Sequence, residues 1–557
     1  MDYNLFGQIL SNIKNKTILI KDINEQYYYN VFIKKDHNEV HLLNSTKNLI
    51  VTFIDYPTDK NNLNSFTRII NNQTYYFKDN QLIFKTLKRS TNFLTSIEKD
   101  NKLNNKFMVM DIETQTINNV MTPYTICIFD GVKKLSFYLT DYKNYNDMII
   151  HAINSIMKRK YNGYKVYVHN LSNFDGIFIL KALSSIKYST LKPIIKDDKM
   201  IDIKIIFGKY NIAFRDSLLM LPSSLRKLAI QFNVDNKTIF PYNFVNNKFN
   251  SNINLNYIGN IPQFKYFIDI TIDQYNQYIK NFKNNKSWSL KEEIIKYCLQ
   301  DCISLYQIIY KFNYLIFNKY NLNIHNFPTL PGLAFGIYRA HYLNNFKIPL
   351  LTGQIFNDIK LSYTGGSTDM FKPYGENIYR YDVNSLYPYA MKSNPMPIGN
   401  ITFFEGDILQ YIKNPFGFFK CEITTPKYLK HPILQTKFDT GNGIRTVSPL
   451  GTWTDMIFSE EMFNAIKYGY TFKILSSYTF DKEYIFNDYV SDLYEIKQSH
   501  SKDDPMYLIS KLLLNSLYGK FYMSDILFYH NIFYNNELYD YIENYSIYDI
   551  IPLDTSE

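Results

Sequence analysis

The chain has 557 residues, 46% of them hydrophobic and 20% charged, with a net charge of +10. That length implies two or three globular domains with ample material for cores, and the positive balance favours an anionic partner such as nucleic acid. The four cysteines (Cys127, Cys298, Cys302 and Cys421) are too few for a disulfide framework and point to a reducing compartment.

No apolar run is long enough to span a bilayer. The opening MDYNLFGQILSNIK is not that of a signal or transit peptide, because Asp2 comes early and Arg is absent. Aromatics reach 17%, with 51 Tyr and 42 Phe, and Asn, Ile and Lys are also frequent. These residues have A/T-rich codons, which suggests an organellar or plasmid-like genome. Cys298 and Cys302 lie one helical turn apart. A zinc site needs two more ligands, and none is spaced for it, so packing is the expectation.

Residues 1–104 are polar and Asn/Lys-rich, with short strand-like pieces such as EVHLL and LIVTFI, and read as an N-terminal region of unknown role. Residues 105–315 alternate apolar strands with helical patterns, an α/β texture. Residues 316–557 form the next region; after its PTLPG turn at 328–332 the segments are punctuated by Gly, Tyr and Pro, and about 395–480 reads as an insertion.

Three acid motifs stand in the α/β region. FMVMDIET places Asp111 and Glu113 at the end of an apolar strand, where positions i and i+2 face the same side. Two carboxylates so placed repel unless a cation sits between them, and hard oxygen ligands with water and phosphate make a magnesium-type site. The same spacing is also common on plain surfaces. In VYVHNLSNFDGIFIL a strand leads through Asn170 to Asp175, with Phe174 beside the acid where its ring can stack on a base. In KYCLQDCISLY, Tyr297 and Asp301 share a helix face. The tyrosine hydroxyl can orient a water there, with the aspartate as metal ligand. Two metals held this way activate a water and stabilise the leaving oxygen of a phosphodiester.

In order and spacing these motifs closely resemble the 3′–5′ exonuclease domain of family B DNA polymerases. The resemblance implies a ribonuclease-H-like fold, with Asp111, Glu113, Asp175 and Asp301 as metal ligands and Tyr297 in support. Thr114, Asn170 and Phe174 would meet single-stranded 3′ ends. The segment DSLLMLPSSLRKLAIQFNVDNKTIF resembles one in the protein-primed branch. There Ser217 and Leu218 would contact primer strand or terminal protein, and Lys237 would assist exonucleolysis.

The second half carries polymerase-like motifs. SYTGGS, with Tyr363, Gly365 and Gly366, looks like the family's Tyr-x-Gly-Gly element, and paired glycines allow close approach of backbone to a phosphate chain. IYRYDVNSLYPYAM matches the family's first palm motif. By that resemblance Asp382 ends a strand and binds both metals. Ser385, Leu386 and Tyr387 would line the nucleotide site, with Tyr387 excluding a 2′-hydroxyl. In KLLLNSLYGKF the helical spacing puts Lys511, Asn515 and Tyr518 on one face, with Leu512, Leu513 and Leu517 on the other. The match implies that Lys511 holds the triphosphate and Tyr518 stacks near the nascent pair. Gly519 would end the helix close to DNA beside Lys520, and Lys497 is a second phosphate ligand.

The fold expectation is therefore α/β plus α+β: an exonuclease domain followed by an incomplete right-hand palm and fingers. The third polymerase motif, usually Tyr-x-Asp-Thr-Asp-Ser, is not found. The nearest string is IPLDTSE with Asp554, and no thumb follows, so the chain reads as C-terminally truncated. The expected activity is protein-primed DNA synthesis with a 3′–5′ exonuclease on a linear plasmid. It would use Mg2+ or Mn2+ in two-metal sites, dNTPs, primer-template DNA and a terminal priming protein. The mitochondrion is the expected location, with a cytoplasmic plasmid or virus as the alternative. Two other readings remain open: an exonuclease whose palm only binds DNA, and a fragment without function.

Overall fold

The computed structural model describes residues 91–523 apart from 118–119, 185, 187–188, 197–198, 236–237, 246–253, 269, 281, 283–286, 367, 369, 371 and 442, together with the backbone of six strands between residues 16 and 88. Among the described residues no helix is long and apolar enough to cross a membrane. The chain divides into two compact units, one formed by residues 96–344, 384–392 and 486–557 and the other by 1–95, 345–383 and 393–485.

The first unit is built on a seven-stranded mixed sheet. Its strands are β1 (Phe107–Ile117), β2 (Val120–Phe129), β3 (Lys134–Tyr138), β4 (Lys165–Val168), β5 (Ser189–Lys196), β6 (Lys199–Phe207) and β7 (Tyr210–Asp216), in the order β5-β6-β7-β4-β1-β2-β3. β4 runs parallel to both β1 and β7, and the other pairs are antiparallel. The opening Phe107–Met110 of β1 is buried without alternation, as a central strand covered on both faces requires. Helices α1 (Tyr145–Ile156) and α2 (Asp175–Ser184) cover one face, packing Met148, Ile153, Ile179 and Leu183 into a cluster with Met108, Ile126, Val166 and Phe214.

A second cluster gathers Tyr124, Tyr138, Phe240 and Trp288 around Leu290 and Ile294 of α3 (Leu290–Tyr320). Ser289 caps the start of α3 by accepting from the Glu292 N–H, and Asn321 ends it in a left-handed conformation. Further helices include α4 (Leu330–His341), α5 (Leu386–Ser393), α6 (Asn487–Ser499) and α7 (Pro505–Tyr522). Tyr338, Phe486, Tyr489 and Phe521 join α4, α6 and α7 through edge-on and tilted ring contacts. The buried Tyr489 hydroxyl donates to the Leu513 carbonyl at 2.9 Å.

The second unit corrects the domain boundaries expected from sequence. Its antiparallel sheet runs in space as Thr452–Phe458, Gly417–Thr424, Thr471–Glu483, Met396–Glu405, Gln81–Lys88, Gln73–Lys78 and Ser65–Ile70. Residues 1–104 are therefore not a separate region, because Thr86–Lys88 pairs with Thr402–Phe404. The supposed insertion at 395–480 supplies the strands those N-terminal strands extend. GFFKCEIT alternates buried and exposed positions, and Phe419, Cys421 and Ile423 pack with Ile457 and Met462. LIVTFI forms the expected strand (Leu49–Asp55), whereas EVHLL lies outside the described residues.

Candidate active site

Asp111 and Glu113 lie on β1 beside an irregularity. Glu113 pairs with Thr125 but Thr114 pairs with Pro123, so Tyr124 is an extra residue in β2. Such bulges re-aim side chains, and proline tolerates them because it has no N–H to lose. Both carboxylates are half-buried. α3 crosses behind them with Cys298, fully buried, whose thiol donates weakly to the Asp111 carbonyl at 3.6 Å. One ligand atom each from Asp111, Glu113 and Cys298 lies within 4.8 Å of the others.

Asp175 opens α2 and is only 3% exposed. Its Oδ1 has no hydrogen-bond partner among the described residues. Burial first, then the charge of Asp111, raises its carboxyl well above the usual range, with smaller contributions from Cys298 and Asp216. Gly176 permits this placement, because a Cβ there would meet the Leu171 carbonyl oxygen at 2.6 Å. Asp301 is buried on α3, three residues on from Cys298. A buried carboxyl with an unused oxygen, close enough to Asp111 to feel its charge, is what a hard divalent cation neutralises, so these donors fit a Mg2+ or Mn2+ ion. Tyr297 is half-buried and packs on Phe240 with ring centroids 5.2 Å apart.

The loop between β4 and α2 is held by Asp216, which sequence reasoning passed over. Fully buried at the end of β7, it accepts from the N–H groups of Asn170, Ser172 and Leu218. Asn170 takes a left-handed conformation there, which asparagine tolerates better than most residues. Phe174 is half-buried beside Phe178, and Leu218 is half-buried while Thr114 is buried. Ser217 is 1% exposed, and its hydroxyl bonds to His169 and to the Val168 carbonyl. It braces the turn and leaves no side-chain surface for a strand of DNA in this conformation. Lys237 lies outside the described residues.

Part of the polymerase-like set also assembles in this unit. Tyr387 of α5 and Tyr518 of α7 stack with centroids 4.5 Å apart and planes 7° from parallel. The Lys497 ammonium of α6 approaches the Ser385 hydroxyl at 3.4 Å, where Ser385 holds a positive φ of 54°. Leu386 is exposed at the start of α5. On α7, Lys511 and Asn515 are exposed and Tyr518 half-buried, while Leu513, Leu514 and Leu517 are fully buried. Leu514 thus fills the place expected of Leu512. The helix continues three residues beyond Gly519 to Tyr522, so Gly519 does not end it. It leaves open space instead, next to half-buried Lys520.

Asp382 belongs to the other unit and is exposed. No strand forms at residues 377–383, contrary to the sequence expectation. The alternating IYRYDV is extended in character, but no described strand offers it a hydrogen-bonding edge, and Tyr379 and Tyr381 stay 78% and 90% exposed. Tyr363 and the glycines Gly365 and Gly366 are exposed as well, and a Cβ at Gly365 would meet nothing. Asp554 lies outside the described residues.

A family model described as "DNA polymerase type B, organellar and viral" matches residues 155–550. A "Probable DNA polymerase" of Neurospora intermedia is 37% identical over 533 residues, which is 88% of this chain and 54% of that protein. One from Ascobolus immersus is 37% identical over 569 residues, covering 98% of this chain and 46% of that protein. The chain thus spans about half the length of these curated relatives. Among solved structures, Phi29 DNA polymerase complexed with primer-template DNA gives a TM-score of 0.51 at 20% identity, over 76% of this chain and 68% of that one. That likeness shows a common fold. With a model match over most of its length and relatives above the thirty-per-cent level, the chain belongs to the type B DNA polymerases of organellar and viral kind.

Proposed function

We propose that this chain carries the 3′–5′ exonuclease and part of the nucleotide-binding machinery of a protein-primed DNA polymerase, one that copies a linear plasmid in mitochondria. The observation that carries the reading is the close pair Asp111 and Glu113 with the buried Asp175 near enough to feel the charge of Asp111, its orphaned oxygen and raised carboxyl marking a place for a cation. Two divalent cations, Mg2+ or Mn2+, would supply activation of a water and neutralisation of the leaving oxygen. Asp111, Glu113, Asp175 and Asp301 would hold them. The Tyr297 hydroxyl orients the attacking water. Phe174 and Leu218 border the acids on loops fixed by Asp216, where a terminal base of a single strand can stack.

On the other face of the activity, Lys511 and Lys497 offer charge to a triphosphate, and the Tyr387–Tyr518 stack forms a flat wall for a deoxyribose and its base. Family relatives, the Phi29 complexes with primer-template and single-stranded DNA, and the basic charge support DNA as the partner. The residues with A/T-rich codons support an organellar plasmid. A terminal protein as primer follows from the same branch of the family.

The test is degradation of a 5′-labelled single-stranded oligonucleotide in Mg2+. Progressive shortening from the 3′ end, abolished in Asp111→Ala with Glu113→Ala, is the expected result. Undiminished hydrolysis by the double variant would sink the assignment.

A second reading, an exonuclease whose polymerase part binds DNA without extending it, is favoured by one observation. Asp382 is exposed on a segment that pairs with no described strand, so no described packing fixes it for a metal. The described polymerase residues therefore do not fit a two-metal centre.

A further inference from the structure

We infer that Cys298 turns the Asp111–Glu113 pair into a mixed sulfur–oxygen site that captures a thiophilic divalent cation of the zinc and cadmium class. The inference rests on the exonuclease reading only for its consequence, which is that such a cation blocks catalysis. The geometry stands without it.

The sulfur of Cys298 and one oxygen each of Asp111 and Glu113 are mutually within 4.8 Å. Two ligands on one zinc ion can be no farther apart than the sum of their bonds, roughly 4.3 Å for sulfur and oxygen. Small side-chain rotations close that gap. The thiol makes a long hydrogen bond to the Asp111 carbonyl and hydrogen bonds with the Cys127 and Cys302 thiols, all weak because sulfur is a poor donor and acceptor, so a bond to a metal replaces little. A second observation is independent of this triangle. Asp175 is nine-tenths and more buried, has an oxygen with no hydrogen-bond partner among the described residues, and feels the charges of Asp111 and Cys298. It supports the triangle from beside Asp111, and one sulfur with two oxygens leaves the fourth position of a tetrahedral zinc to water.

Magnesium takes hard oxygen ligands and keeps its waters, and a sulfur adds nothing to its binding. Zinc and cadmium gain from the sulfur, and zinc already stands above manganese in intrinsic affinity. The same pocket therefore discriminates between the ion that supports hydrolysis and the ion that displaces it. Two further thiols lie close by. Cys127 and Cys302 are buried, and neither joins the triangle of ligand atoms.

The experiment titrates the full chain, stripped of metal, with Cd2+ alone and reads the ultraviolet sulfur-to-cadmium charge-transfer band. The expected result is a band saturating at one Cd2+ per chain, absent in Cys298→Ser, retained in Cys127→Ser and Cys302→Ser, and needing at least about tenfold more Cd2+ in Asp175→Asn. No band at stoichiometric Cd2+, or a band that survives Cys298→Ser, overturns the inference. Should Cys298→Ser not fold, cadmium NMR of the unaltered chain decides. A single resonance of one-sulfur character supports the site, and an all-oxygen or multi-sulfur resonance refutes it. Mg2+-dependent degradation without a sulfur band overturns this inference alone. A sulfur band without any Mg2+-dependent degradation leaves the site standing and removes the exonuclease reading.

Discussion

Asp175 and Asp382 are both offered by the sequence as metal-binding aspartates, and the fold treats them in opposite ways. Asp175 is 3% exposed, fixed between a glycine-tight helix start and a sheet buried centrally at Phe107–Met110 and Val166–Val168. Asp382 is exposed on a segment that pairs with no described strand. A carboxylate held by closed packing has its position set before any ion arrives, and the cost appears as a raised carboxyl. A carboxylate on an unpaired segment has paid none of that ordering entropy, so a cation binding there must supply it. The two regions thus differ in preorganisation, which supplies most of the rate in phosphoryl transfer.

The largest effect expected from that contrast is on hydrolysis. Asp111→Ala with Glu113→Ala removes two charged ligands from the preorganised site. Loss of one neutral donor in an active site costs about 10²–10³-fold, so degradation of a labelled single strand should fall by more than that while DNA retention in a filter-binding assay persists. A fall of less than tenfold would show that the acids are ornamental.

Next comes synthesis. In that exonuclease-deficient background, purified residues 1–557 should extend a primer several orders of magnitude more slowly than ordinary family members do, because positioning and electrostatics provide most of the rate. Robust extension that Asp382→Ala abolishes would erase the contrast and identify an unrecognised second ligand, with Asp554 the first to replace. If synthesis is restored by adding the polypeptide that completes the relatives' length, Tyr387→Val should admit ribonucleotides, and unchanged sugar discrimination would remove Tyr387 as the gate.

A smaller effect concerns the tyrosine pair. Tyr518→Ala should lower stability by about 0.5–1.5 kcal/mol beyond the loss of buried area, through the lost stack on Tyr387. A urea titration reads this, and an unchanged midpoint would show that the stack is not populated in solution.

The smallest effect is a pH dependence, and it sharpens the picture of Asp175. Its folded-state carboxyl lies above the unfolded value, first through burial and then through Asp111. For a raised acid the folded state is favoured when the group is protonated, so this contribution is present below the unfolded value of about 4 and fades as pH rises above it. In EDTA, Asp175→Asn should therefore be more stable than the unaltered chain at neutral pH, with the difference vanishing near pH 4. Added Mg2+ should reverse the order. Identical melting curves across that range would remove the strain assigned to this carboxyl.

Local pattern made the acid motifs and the α7 face legible. Asp111 and Glu113 share a strand face by simple alternation, and Lys511 and Asn515 share an exposed helix face by the 3.6-residue period. The assignment of Leu512 to the buried side, where Leu514 sits instead, is a one-position error of the kind helical rotation allows when four apolar residues run nearly together. Ser217 looked like a contact residue because its string resembles one. Its burial follows from Asp216, which draws the turn inward by accepting three backbone N–H groups.

The sequence by itself determined the family, the order of the catalytic acids and the helical presentation of Lys511, because each depends on residues close along the chain. Tertiary structure alone decided the rest. Strands near residue 88 pair with strands near residue 402, joining what composition had divided. No zinc-like spacing exists around Cys298, yet α3 lays it against Asp111 and Glu113 from a strand far earlier in the chain. Spacing rules report ligands that a single turn or hairpin brings together. A site assembled from a sheet and a crossing helix is set by packing, and packing has no period in the sequence.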